Sequence, residues 1–177
     1  MVGFLGTLLA LSQIPTVKRA LAVPGMASRL ELPHTFRVFA GLAFLITMSL
    51  GHLPALLAVP AGLGDIATGI ATPLVARKVA HGTGRRAGLW LNAFGFTDLV
   101  NALTLGALTG FQLVHVTPAA TAITELPLAL IPTVGVPLLL ALHIINLRTL
   151  AKAPRTAMPV SAQPIADAEP RAAAIAS

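Results

Sequence analysis

Pro60-Ala-Gly62-Leu-Gly64-Asp65-Ile-Ala-Thr68-Gly69-Ile-Ala-Thr72-Pro73 is a glycine-rich, almost wholly apolar stretch with one carboxylate at its centre. No Lys or Arg occurs between Arg37 and Arg77, so Asp65 has no basic neighbour in sequence. A water-soluble core rarely holds such an acid. In a membrane helix the acid is costly and marks a functional-site candidate. The stretch therefore reads as part of a transmembrane helix built around a polar centre.

Composition agrees. Of the 177 residues, 55% are hydrophobic and 10% charged, whereas soluble domains carry about 25% charged residues. The absence of cysteine removes disulfides, iron–sulfur ligation and thiolate metal sites. The net charge of +6 does not point to nucleic acid, because the twelve Lys and Arg flank apolar runs.

Outward from Asp65, the chain divides into five apolar spans. The first, residues 1–14, is short against the roughly 20 residues that cross a bilayer, and reads as an incomplete span or one that starts further upstream. Residues 15–34 read as a polar connection with a short interfacial helix over 17–22. Span two covers 35–53, and span three, 56–76, holds Pro60 near one end, where a bend or re-entrant turn is expected. Span four covers 87–109 and span five 126–147. From residue 151 the Ala/Pro-rich chain reads as a disordered tail, leaving 1–150 as the bundle. With five spans every Lys and Arg falls on one side, Arg37 included as a flanking residue. The positive-inside rule then places that side in the cytoplasm, with the N-terminus out and the C-terminus in. The expected fold is all-α, a polytopic membrane helix bundle.

Asp65 lies twelve residues before Arg77, and Asp98 twelve after Arg86. Both therefore sit roughly 18 Å from the inner boundary, near mid-membrane. Their surroundings echo one another: Gly62-x-x-Asp65-Ile-x-Thr68-Gly69 against Gly95-x-x-Asp98-Leu-x-Asn101-Ala102. On this spacing Gly62, Gly69 and Gly95 let helices approach closely, while Thr68 and Asn101 hydrogen-bond beside the acids. Two acids at one depth without a cation cannot cheaply both ionise. They form either a proton or small-cation site or a neutral hydrogen-bonded lock between helices. His143 lies on a line from Asp65 and Asp98 toward the cytoplasm and joins the candidate site; Asn92 fits that line poorly.

Other chemistries have less support. His34 and His143 are the one pair within the helices that could hold a haem. A lipid-modifying enzyme holding a metal on Asp65 and Asp98 ranks third, because the acids lie deep for a head group to reach. No Lys lies within a span, and no zinc-protease, nucleophile-elbow or P-loop motif occurs. No cofactor and no structural metal is expected.

The pattern Gly51-His-Leu-Pro54 followed by Pro60-Ala-Gly-Leu-Gly-Asp65-Ile-x-x-Gly69 resembles a group of small multi-pass bacterial integral membrane proteins. The resemblance covers spans two to four. It implies a helical fold in a bacterial plasma membrane and nothing about activity. The leading expectation is proton- or cation-linked transport through the acid pair, the alternative a non-catalytic scaffold or accessory subunit. So small a bundle is expected to work as a homo-oligomer or with a partner membrane protein.

Overall fold

The computed structural model describes residues 2–152, and all their regular structure is helical. The helices are α1 (Val2–Leu11), α2 (Pro15–Leu21), α3 (Met26–Glu31), α4 (Arg37–Ser49), α5 (Ala55–Ala80), α6 (Arg85–Gly110) and α7 (Val136–Lys152). A 3-10 segment, Leu32–Phe36, joins α3 to α4 so that Met26–Ser49 forms one rod. A π turn, Ile131–Gly135, opens the rod that α7 completes.

Two tight turns make the central hairpins. Gly51 (φ +77°) and Gly82 (φ +75°) adopt the left-handed backbone that only glycine takes without strain. They reverse the chain between α4 and α5 and between α5 and α6. α5 lies at the centre, packed on α4, α6 and α3, and α7 packs on α6, α1 and α3.

Glycines set the closeness of the α4–α5 interface. A Cβ on Gly41 would lie 2.5 Å from the Gly62 carbonyl oxygen, and one on Gly69 2.8 Å from the Val38 amide. Phe44, Leu53, Leu57, Ala58, Ala61 and Ala120 form an apolar core near the α4–α5 turn. A second apolar cluster, Leu99, Val136 and Leu140, joins α6 to α7, with Leu5 of α1 against it.

Polarity is inverted relative to a water-soluble domain. Glu31, His34, Arg37, Asp65, Asn92, His143 and Asn146 are buried, while Phe36, Phe39, Ile46, Ile70, Leu74 and Trp90 are exposed. A soluble domain buries the second set and hydrates the first. Three rods, Met26–Ser49, Ala55–Ala80 and Ile131–Lys152, are long and apolar enough to cross a membrane.

Several boundaries differ from the sequence expectation. Residues 26–34, expected as a polar connection, are helical and begin the Met26–Ser49 rod. The chain does not break into a re-entrant turn at Pro60: α5 is one α-helix through Pro60 and Pro73. Helix α1 has ten residues, about 15 Å, and α6, although 26 residues long, carries Asn92, Asp98 and Asn101 and is not among the three rods. α7 runs to Lys152, two residues past the expected bundle end. The rest of the expected tail lies outside the described residues.

Candidate functional site: a buried arginine shared by two acids

Arg37 occupies the first turn of α4 and its side chain is fully buried. Its Nε donates to Asp65 Oδ1 of α5 at 2.6 Å, and its Nη2 donates to Asp98 Oδ2 of α6. Nη1 donates to the Gly95 carbonyl at 3.2 Å and lies 3.3 Å from His143 Nε2. All three guanidinium nitrogens are thus engaged, by groups from three other helices' worth of chain: α5, α6 and α7. The planar fork of arginine serves divergent acceptors in a way that a lysine ammonium on a flexible stem does not. The expectation that the two acids lack a cation, with Arg37 a flanking charge, is corrected: Arg37 is their shared counterion. One positive and two negative groups leave the triad one negative charge in excess when all are ionised.

Close approach makes this geometry accessible. A Cβ on Gly64 would overlap the Asp98 carboxylate, and one on Gly95 would lie 2.6 Å from the His143 ring and 2.8 Å from Arg37 Nη1. Gly62 packs against the Leu45 side chain and the Gly41 carbonyl. Gly62, Gly69 and Gly95 therefore all sit where helices touch.

A second arm leads away from the triad. His143 Nδ1 lies 2.9 Å from Asn92 Oδ1. Asn92 Nδ2 donates to Glu31 Oε1 at 2.6 Å and to the Gly88 carbonyl at 2.8 Å. With its amide nitrogen so committed, Asn92 presents its oxygen to the imidazole. The Nδ1 of a neutral His143 then carries the proton, and Nε2 accepts from Arg37, a tautomer assigned from the network. The result is one connected path: Asp98–Arg37–His143–Asn92–Glu31, with Asp65 on the same guanidinium.

His34 stacks face to face on His143, ring centroids 3.8 Å apart and 12° from parallel. Rings in direct contact leave no space for a porphyrin between them, so this arrangement does not provide a bis-histidine haem site. Among the described residues, no three His, Asp or Glu side chains gather as metal ligands would. An apolar cavity of about 390 Å³ lies between α5, α6 and residues 120–136; none of the network residues lines it.

The other candidates divide. Thr68 is buried close by with no hydrogen-bond partner for its hydroxyl. Asn101 is exposed and outside the network, because the face of α6 that delivers Asp98 to Arg37 turns residue 101 outward. The sequence reading left Arg37, Glu31, Asn92 and Asn146 out of the site and weighed His34 only as a haem ligand; all five are buried. Asn146 approaches Glu31 without a hydrogen bond of ordinary geometry. One sequence signal was available: if span two begins at Met26, Arg37 falls at mid-span. Pro33 obscured it, because proline ordinarily marks a helix boundary, and here it is accommodated in the 3-10 segment.

Asn92 ties three helices through one amide. Asn92→Leu is expected to cost about 1–3 kcal/mol, since it strands both Glu31 and His143. Thermal unfolding in detergent measures this; an unchanged midpoint would show that the two contacts carry no stability.

A family model described as "Domain of unknown function (DUF8737)" matches residues 1–151. The chain belongs to this family. The DUF8737 match takes in all seven helices up to the last residue but one of α7, and with them every member of the Arg37 network. No curated protein and no solved structure matches the chain.

Proposed function

We propose that the chain is a multi-pass integral membrane protein of a bacterial plasma membrane, linked to proton movement through the Asp65–Arg37–Asp98 triad. The observation that carries this reading is a fully buried arginine shared by acids from two helices and connected to His143. Ionisable residues at membrane depth are costly, and in transport proteins they line proton or ion routes. The excess carboxylate can take up one proton and neutralise the triad. Arg37 stands where a bare metal cation would bind, which favours the proton over sodium. From the triad, Asn92 and Glu31 extend the line of polar groups toward the α5–α6 turn.

In this reading Met26–Ser49, α5, α6 and Ile131–Lys152 cross the bilayer, and α1 is the fifth segment, with the N-terminus outward. Arg77, Lys78, Arg85 and Arg86 flank the α5–α6 turn. Arg85 also donates to the Leu150 and Ala151 carbonyls, which brings the end of α7 to the same end of the bundle. These basic groups mark the cytoplasmic face.

The second reading is a non-catalytic scaffold. It is favoured by the saturation of Arg37, whose nitrogens clamp α4, α5, α6 and α7 together. Proton flux in proteoliposomes separates the two. Asp98→Asn is the informative variant, because it leaves Arg37 paired with Asp65 and removes only the surplus acid. Wild-type flux that disappears in equally folded Asp98→Asn protein is expected. Absence of flux in both would remove the transport reading and leave the scaffold.

A further inference from the structure

We propose that a cleft at the basic end of the bundle binds the phosphate headgroup of an anionic phospholipid. The cleft, of about 490 Å³, lies between residues 12–13, α2, the start of α3 and the last turns of α7. Lys18, Arg148 and Lys152 line it, and no acidic residue does. Among the described residues both ion pairs belong to Arg37, so none of these three cations has a carboxylate partner.

Two features set these cations apart from ordinary flanking charges. Arg148 and Lys152 stand four residues apart on α7, a spacing at which like charges face and repel one another. Two of the last carbonyls of that helix, Leu150 and Ala151, already take their hydrogen bonds from Arg85 instead. Three cations that line one cleft, with no carboxylate partner among the described residues, form a site for a phosphate group, which accepts charge-assisted hydrogen bonds from several donors at once. Leu21, Met26 and Ile145 supply an apolar wall in the same cleft. That wall suits the glycerol and acyl region of a lipid and has no role toward free phosphate. Basic pockets between membrane helices at the cytoplasmic level recognise lipid headgroups in this way.

The site is independent of the Arg37 triad, and binding tests it without any flux measurement. Full-length protein in neutral detergent is titrated with phosphatidylglycerol, with phosphatidylcholine and with inorganic phosphate. Retained lipid is read by native mass spectrometry and the unfolding midpoint by thermal scan. Phosphatidylglycerol is expected to bind and raise the midpoint, and phosphatidylcholine to do neither. The variant Lys18→Gln/Arg148→Gln/Lys152→Gln is expected to bind phosphatidylglycerol about tenfold more weakly or worse. Arg77→Gln/Lys78→Gln/Arg86→Gln removes the same charge from the neighbouring turn and is expected to bind as wild type does. Equal weakening in both variants would reduce the effect to general charge and overturn the site. Equal stabilisation by inorganic phosphate alone would assign the cleft to free phosphate and overturn the lipid.

Discussion

Arg37→Leu is expected to destabilise the bundle by about 3–5 kcal/mol, the cost of removing one member of a buried ion pair and stranding the other. Here two carboxylates are stranded at once, Asp65 on α5 and Asp98 on α6, and the Gly95 carbonyl loses its donor. At the usual scaling for a chain of this size, the unfolding midpoint falls by roughly 6–20 °C. Arg37→Lys is expected to recover only part of the loss, because a single ammonium cannot reach two divergent carboxylates and a carbonyl together. The decisive comparison is Arg37→Leu/Asp65→Asn/Asp98→Asn, which removes cation and acids together. If the penalty comes from stranded charge, this triple variant regains most of the stability lost in Arg37→Leu. If it is no more stable than the single variant, the loss is one of packing, and the triad is not the electrostatic centre of the fold.

Gly41→Leu is expected to cost at least about 3 kcal/mol, at the upper end of overpacking penalties. The obstruction is backbone: a Cβ there meets the Gly62 carbonyl oxygen at 2.5 Å and the Ile66 side chain at 2.8 Å. A side-chain tip can rotate away, but a helical carbonyl cannot, so α4 and α5 must separate. Gly41 follows Arg37 by one helical turn, and separation there draws the guanidinium away from Asp65. The variant is therefore expected to lose proton flux, where wild type shows it, as well as stability. Gly3→Leu is the control: nothing lies within 4 Å of its Cβ position, and its unfolding midpoint should stay within the range of a neutral surface change. Equal behaviour of the two variants would show that the α4–α5 contact tolerates an added side chain.

Much of the architecture was legible in the sequence because it rests on local chemistry. Long apolar runs with few charges can only bury their backbone as helices in a nonpolar surrounding. The glycine spacing around Asp65 marked a close-packed helix face, and the intervals to Arg77 and Arg86 put Asp65 and Asp98 at one depth. These are readings of composition, periodicity and distance along a single helix. Asn101 shows where such reasoning runs out. Its spacing from Asp98 matches that of Thr68 from Asp65, yet Thr68 is buried and Asn101 exposed, because α5 is surrounded by helices and α6 is covered on fewer sides.

What only the tertiary structure decided is which groups pair. Asp65 finds its counterion 28 residues away and Asp98 finds the same one 61 residues away. An arginine has the same letter whether it flanks a membrane or lies buried within the bundle. Pro33 made residues 26–34 look like part of a connection, and the 3-10 segment that absorbs it carries Arg37 inward instead. Glu31, Asn92 and His143 likewise come from three separate helices and meet only once those helices pack. Helix formation is set by neighbours a few residues apart, whereas the neutralisation of a buried charge depends on side chains brought together by folding. The sequence by itself determined the helical class and the matching positions of Asp65 and Asp98 along α5 and α6; the packing of α4 against α5 and α6 decided that a single arginine holds both acids.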